Sequence, residues 1–141
     1  MEIEFVCIGN YCRSPVAEKI LKKYLPNCKI QSSGISPMSS NNMHKFSRKF
    51  LEDNNFAELI HIPNQFNFQQ NPKLKKILCF EPKIINLIWK KSPHLKNSLF
   101  SFTKYFQNEK VYDPLNYEKQ EYFVEMNKIL EITIDWSKRL K

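Results

Sequence analysis

The sequence predicts an α/β fold of three layers, a parallel sheet with helices on both faces, and three observations carry that reading. Short apolar runs alternate along the chain with stretches of helical period, the order expected of parallel strands joined by right-handed crossovers. The only two glycines, Gly9 and Gly34, each close such a run, where a strand has to turn. The 141 residues are 42% hydrophobic and 13% aromatic, enough for one buried core without disulfide or metal staples, so residues 1–141 read as a single domain.

The elements follow in order. Ile3 to Ile8 reads as the first strand, ended by Gly9. Ser14-Pro15 then offers an N-cap and a proline at the first helical position. Val16, Ala17, Ile20, Leu21, Tyr24 and Leu25 recur at three- and four-residue spacing with Lys19, Lys22 and Lys23 between them, a helix that Pro26-Asn27 stops. Lys29 to Ser33, before Gly34, is the second strand. Phe46, Phe50 and Leu51 form a stripe that predicts a helix over Met43 to Asp53, stopped by Asn54-Asn55. Residues 61–72, rich in Asn, Gln and Pro, read as loop, and Lys76 to Phe80 as a third, buried strand closed by Glu81-Pro82. Ile84, Ile85, Leu87 and Ile88 suggest a short helix and Ser98 to Phe100 a short fourth strand. Tyr122, Phe123, Met126, Ile129, Leu130, Thr133, Trp136 and Leu140 lie on one broad face of a long C-terminal helix from Glu118 to Leu140.

Charge and cysteine usage narrow the function. Lys and Arg number 22 against 14 Asp and Glu, a formal +8 that would attract anionic partners. The lysines come as short pairs (Lys22-Lys23, Lys75-Lys76, Lys90-Lys91) without a long tract or interleaved aromatics, so they read as solvated surface and no nucleic-acid partner is expected. No apolar run approaches the roughly 18–20 residues of a membrane helix, and Met1-Glu2-Ile3-Glu4 is unlike a signal peptide. The expected location is the cytoplasm, without stable membrane association. Cys7, Cys12, Cys28 and Cys79 are then expected as free thiols. Zinc on Cys7, Cys12, Cys28 and His44 would lack a closely spaced second ligand pair, so no metal is expected, and the three histidines read as surface or packing residues.

The chemistry concentrates in Cys7-Ile8-Gly9-Asn10-Tyr11-Cys12-Arg13-Ser14-Pro15, at the carboxyl end of the first strand, where open parallel sheets bind ligands. A loop leading from a strand end into a helix start turns successive amides inward and adds the helix dipole, a cradle suited to phosphate. Arg13 can hold two phosphate oxygens in a planar fork. The same positive field favours thiolate over thiol, which makes Cys7 at the rim a nucleophile, and Ser14 could hydrogen-bond that sulfur while capping the helix. A leaving oxygen needs a proton. Of the three aspartates Asp113, in the loop ahead of the last helix, is the best-placed donor, although an aspartate that merely starts a turn before Pro114 fits the spacing equally well.

Val6 to Pro15, with Ala17-Glu18, resembles the low-molecular-weight protein tyrosine phosphatases, whose pattern is Val-Cys-x-Gly-Asn-x-Cys-Arg-Ser-Pro followed closely by Ala-Glu. Ser32-Ser33-Gly34, His61 with Gln65-Phe66, and Asp113-Pro114 extend the likeness over nearly the whole chain. The resemblance implies a four-stranded parallel sheet in the order 2-1-3-4. It implies that Cys7 forms a phosphocysteine and that Arg13, Ser14 and the backbone of Ile8, Gly9, Asn10, Tyr11 and Cys12 bind the phosphoryl group. Asp113 would protonate the leaving phenolate and then activate water; Asn10 would fix the loop, and Cys12 would trap an oxidised Cys7 as a disulfide. No cofactor or metal is implied.

Departures from the pattern affect the substrate slot. Leu115-Asn116 stand before Tyr117 where relatives carry an aromatic wall, Tyr11 replaces an aliphatic residue, Asn64 stands where arginine is common, and Lys75-Lys76 where Ala-Asp is. Tyr11, Leu115 and Tyr117 are the expected wall residues. Overall the chain is most similar to the bacterial subgroup associated with capsule and exopolysaccharide export. That likeness implies a monomer acting on a phosphotyrosine protein, the tyrosine-rich tail of a membrane autokinase. An arsenate reductase of the same fold would need a second redox cysteine, but Asn86, separated from Cys79 by six residues, stands in that place. A binding module without turnover would need a damaged nucleophile or acid.

Overall fold

Strands β1 (Glu2–Cys7), β2 (Lys29–Gly34), β3 (Lys75–Cys79) and β4 (Leu99–Ser101) form one parallel sheet in the order β2-β1-β3-β4 in the computed structural model, which describes residues 1–141. The register aligns Cys7 with Gly34 and Val6 with Cys79, so the carboxyl ends of the strands meet along one edge. The strand alternation sorts two cores. Ile3, Phe5 and Cys7 face α1 (Ser14–Tyr24), α2 (Lys45–Asp53) and α4 (Lys119–Arg139), while Val6, Ile77 and Cys79 face α3 (Pro82–Lys91). The expected α/β fold, its three layers and its strand order are all present. Trp136 anchors the long α4 by donating its indole N–H to the Phe102 carbonyl at 2.7 Å.

Several local readings need correction. Ser14 is not the cap of α1: Arg13 holds that position, no side chain caps the helix, and the Ser14 hydroxyl is engaged elsewhere. Within α1, Tyr24 is 41% exposed, whereas Lys19, expected on the solvent face, is buried beside Glu18 and pairs with Glu58. The segment around Glu58 and His61 covers that face, an arrangement that helical period alone does not contain. α2 starts at Lys45 because the His44 ring, through Nδ1, accepts the Phe46 N–H and caps it. Pro82 opens α3 rather than only closing β3, and the helix runs on to Lys91. A 3₁₀ turn over Pro93–Ser98 takes up Ser98 and leaves Leu99–Ser101 as the fourth strand.

Candidate active site

The loop between β1 and α1 is gripped from outside by its carbonyls. Those of Cys7, Ile8, Gly9 and Tyr11 accept N–H groups of Ile35, Ser36, Met38 and His44, and that of Cys12 accepts the Ser47 hydroxyl. None of the amide N–H groups from Ile8 to Arg13 donates to a protein acceptor. Six donors therefore gather in one turn ahead of a helix N-terminus, the arrangement that binds an oxyanion. Gly34 lets the loop close in, since a Cβ there would sit 2.7 Å from the Ile8 carbonyl oxygen. The turn itself rests on Asn10, whose φ of 50° is a left-handed conformation that asparagine tolerates better than most residues.

Both ends of the Asn10 side chain hold that conformation. Its Oδ1 accepts His61 Nε2 at 2.8 Å and the Asn64 backbone N–H at 2.9 Å, and its Nδ2 donates to Ser14 Oγ at 2.8 Å and Ser32 Oγ at 3.0 Å. Because the amide donates to Ser14, the Ser14 hydroxyl hydrogen is free to point at the Cys7 sulfur, 2.9 Å away. Ser32 passes its own hydrogen to Glu18 Oε1 at 2.6 Å. His61 must carry its proton on Nε2 to serve the Asn10 oxygen, and burial holds its pKa below the ordinary histidine value, so the ring is neutral. Glu18 is buried, which favours its neutral form, but Lys22, Ser32 and Lys19 outweigh that and hold its carboxyl below the usual range.

Arg13 is nearly enclosed. Its Nη1 donates to the Val111 carbonyl at 2.9 Å, its Nη2 to Glu81 Oε2 at 2.6 Å, and the guanidinium lies over the Phe80 ring. Burial opposes the charge, yet Cys7 and Glu81 raise the Arg13 pKa above its ordinary value. Asp113 comes from the far end of the chain to the same small cavity of about 110 Å³ as Cys7, Tyr11, Cys12, Arg13, Met38 and Leu115. Its Oδ1 accepts the Leu115 N–H at 3.1 Å, so the turn-starting role foreseen as an alternative also exists. The loop is tied to α4 where buried Glu125 accepts the Tyr112 N–H at 2.8 Å.

The remaining expected residues divide. Tyr11 and Leu115 line the cavity, whereas Tyr117 lies in a separate groove with Glu118, Glu121 and Val124, so that expected wall residue is not at the cradle. Burial pushes the Cys12 thiol up to about 12, leaving it protonated at neutral pH. Cys79 is enclosed in the α3-side core, and burial raises its pKa too, the state of an inert packing thiol.

The family model described as low molecular weight phosphotyrosine protein phosphatase matches residues 2–141. The chain belongs to that family. Among curated relatives, the low molecular weight protein-tyrosine-phosphatase PtpB of Staphylococcus aureus is 32% identical over 125 residues, covering 86% of each chain. The probable low molecular weight protein-tyrosine-phosphatase AmsI of Erwinia amylovora is 28% identical over 77% of this chain and 76% of its own. Among solved structures, the tyrosine phosphatase Wzb of Escherichia coli K30 superposes with a TM-score of 0.89 at 21% identity, over 99% and 98% of the two chains. The YwlE arginine phosphatase of Geobacillus stearothermophilus gives 0.86 at 20%, over 99% and 92%. Those structural likenesses establish the phosphatase-family fold; they do not select tyrosine over arginine.

Sequence reasoning missed four supports of the cradle: Glu18, His61, Glu81 and Glu125. Glu18, in the Ala-Glu pair of the family pattern, and His61, in the family-like stretch before Gln65, each carried a signal, whereas Glu81 and Glu125 did not. The carboxylates lie on three different elements and meet their partners only through the fold.

Proposed function

We propose that this chain, one phosphatase domain over residues 1–141, is a protein tyrosine phosphatase working through a phosphocysteine. The observation that carries the reading is the run of six unpaired amides from Ile8 to Arg13, with the Cys7 sulfur beside the Ser14 hydroxyl. Cys7, as thiolate, attacks phosphorus in line with the leaving phenolic oxygen. The bond to that oxygen breaks as Asp113 delivers its proton, and the Cys7 sulfur carries the phosphoryl group. Arg13 and the Ile8–Arg13 amides hold the three equatorial oxygens, whose charge is stabilised most in the transition state. Asp113, now a carboxylate, takes a proton from the water that attacks phosphorus; phosphate leaves and the Cys7 thiolate returns, its charge eased by Ser14.

An aryl phosphate suits the site because a phenol, with a pKa near 10, leaves more readily than an alkoxide, and because Tyr11, Met38 and Leu115 line the entrance. No helix is long and apolar enough to cross a membrane, which is compatible with a cytoplasmic enzyme. The likeness to the exopolysaccharide subgroup supports a disordered, phosphorylated autokinase tail as substrate, and the +8 charge is compatible with it. Cys12, lining the same cavity as Cys7, is the proposed partner of an oxidised nucleophile.

Phosphate release from a phosphotyrosine peptide and an aryl phosphate, under reducing conditions beside Cys7→Ser, tests the proposal. Activity in the wild type and none in the variant is expected. An inactive but folded wild type would overturn the enzyme reading.

A further inference from the structure

Most of the formal charge of +8 falls within one stretch of the chain. Residues 59–108 hold eight lysines, no arginine and a single carboxylate, Glu81, and so carry +7 of it. Lys75 is paired with Glu4, Lys83 with Glu81, and Lys104 lies over Phe100 and Tyr105, whereas Lys73, Lys76, Lys90, Lys91 and Lys96 make no ion pair. These five meet at the end of the sheet opposite the cradle. Lys90 and Lys91 end α3, which runs back against the strands, and Lys91 lies over Phe68. Lys73, Lys76 and His94 line one surface cavity of about 590 Å³ with Leu74. The one acid of this end outside the core, Glu2, is already shared between Lys29 and Lys75.

Two large apolar side chains stand among these cations. Trp89 is 46% exposed with Lys96 over its ring, and Leu74 is 74% exposed. Leu74 has φ 56°, a left-handed conformation that a leucine rarely adopts. Its carbonyl is held by the Glu2 N–H, and Lys75 N–H closes on Pro72, so the backbone fixes the leucine outward instead of folding it into the core.

We propose that this end of the molecule is a docking surface for an anionic lipid bilayer. An indole and a leucine beside unpaired lysines match the headgroup region, where tryptophan is enriched and basic residues are drawn to anionic lipid. A nucleic acid would instead favour arginine forks onto phosphate, and residues 59–108 hold none. The association is peripheral and reversible by salt, unlike the insertion of a membrane-spanning helix. Docking by this end directs the cradle, at the opposite ends of the strands, away from the lipid. The inference is independent of the reaction proposed above, because its readout is binding.

Sedimentation of the full chain with vesicles tests it. Phosphatidylcholine containing a minority of phosphatidylglycerol should bind the protein at low salt and release it at high salt, and phosphatidylcholine alone should not bind. Trp136 is buried, so a blue shift of emission on adding anionic vesicles reports Trp89, and Trp89→Phe should abolish it. At roughly five-fold in partition per lysine, Lys90→Gln/Lys91→Gln/Lys96→Gln should weaken binding on the order of 100-fold, with hydrolysis of a free aryl phosphate unchanged. No binding to anionic vesicles, or a triple variant that binds like wild type, would overturn the proposal. So would preferential binding of a poly-glutamate peptide without the indole shift, which would reassign the surface to an acidic protein.

Discussion

Arg13 and Glu81, 68 positions apart, meet at 2.6 Å between Nη2 and Oε2, with the arginine buried and the glutamate at the mouth of a neighbouring cavity. The contact joins the loop after β1 to Glu81, between the end of β3 and the start of α3, so the angle of the guanidinium fork depends on both strands. Burial favours a neutral Glu81, but the bond to Arg13 outweighs it and holds the carboxyl below its usual range.

Glu81→Gln should therefore leave the chain folded and weaken positioning. A fork free to swing loses geometry in the transition state, and misplacement by about 1 Å can cost on the order of 100-fold. We expect kcat on an aryl phosphate to fall by roughly 10- to 100-fold, with a smaller change in KM. Unchanged steady-state kinetics would show that Val111 and Phe80 suffice to hold Arg13.

Asp113 reaches the cradle cavity on a loop tied to α4 through the Tyr112 N–H and Glu125. If it protonates the leaving group, its loss should matter in proportion to that group's basicity. Asp113→Asn should cut turnover of phenyl phosphate or phosphotyrosine by about 10²- to 10⁴-fold and affect an activated nitrophenyl ester much less. Equal losses on both, read from a plot of rate against leaving-group pKa, would point to the turn-forming role of the Leu115 contact instead.

What the sequence revealed and what it hid divides along the range of the interactions. The strands, the helices and the loop from Cys7 to Ser14 were legible because period, turn residues and strand-to-helix order are local properties. The burial of Lys19 was not, since a 3.6-residue period marks one apolar face and says nothing of a polar face covered by Glu58 and His61. Ser14 shows the same limit from the other side. A serine before a proline fits a helix cap, but the approach of Asn10 and Cys7 recruits its hydroxyl for the site. Tyr117 was expected beside the ring slot because relatives carry an aromatic wall after the Asp-Pro pair, and the chain's turn at Pro114 carries it into another groove.

The two glycines, alike in the sequence as strand-ending turns, differ in what they tolerate. A Cβ at Gly9 would meet nothing closer than 3.8 Å, whereas one at Gly34 would press on the Ile8 carbonyl at 2.7 Å and the Asn10 N at 2.9 Å. Gly34→Ala should push the loop from its seat, at a cost of about 1–3 kcal/mol and with a large loss of phosphate affinity. Gly9→Ala should stay close to wild type in both. Denaturant midpoints and inhibition by inorganic phosphate measure the pair; equal behaviour would remove the steric argument for Gly34.

Acid should loosen the structure in two stages. His44 and His61 both have pKa values lowered by burial from an ordinary 6.5, so folding favours their neutral forms. Their contribution is fully present above pH 6.5 and is lost as the pH falls from there through their lower folded values. Glu18 adds a second stage: its folded pKa lies below 4.5, so its contribution is present above that pH and disappears as the carboxylate protonates below it. His44 offers a clean separation because its Nδ1 must be unprotonated to accept the Phe46 N–H and cap α2, while its backbone N–H holds the Tyr11 carbonyl of the cradle. His44→Asn supplies a good cap that does not titrate. The variant should match wild type near neutrality and lose less stability as the pH falls below 6.5, as read from urea midpoints. A slope identical to wild type would assign the whole first stage to groups other than His44, with His61, hydrogen-bonded to Asn10, the next to replace.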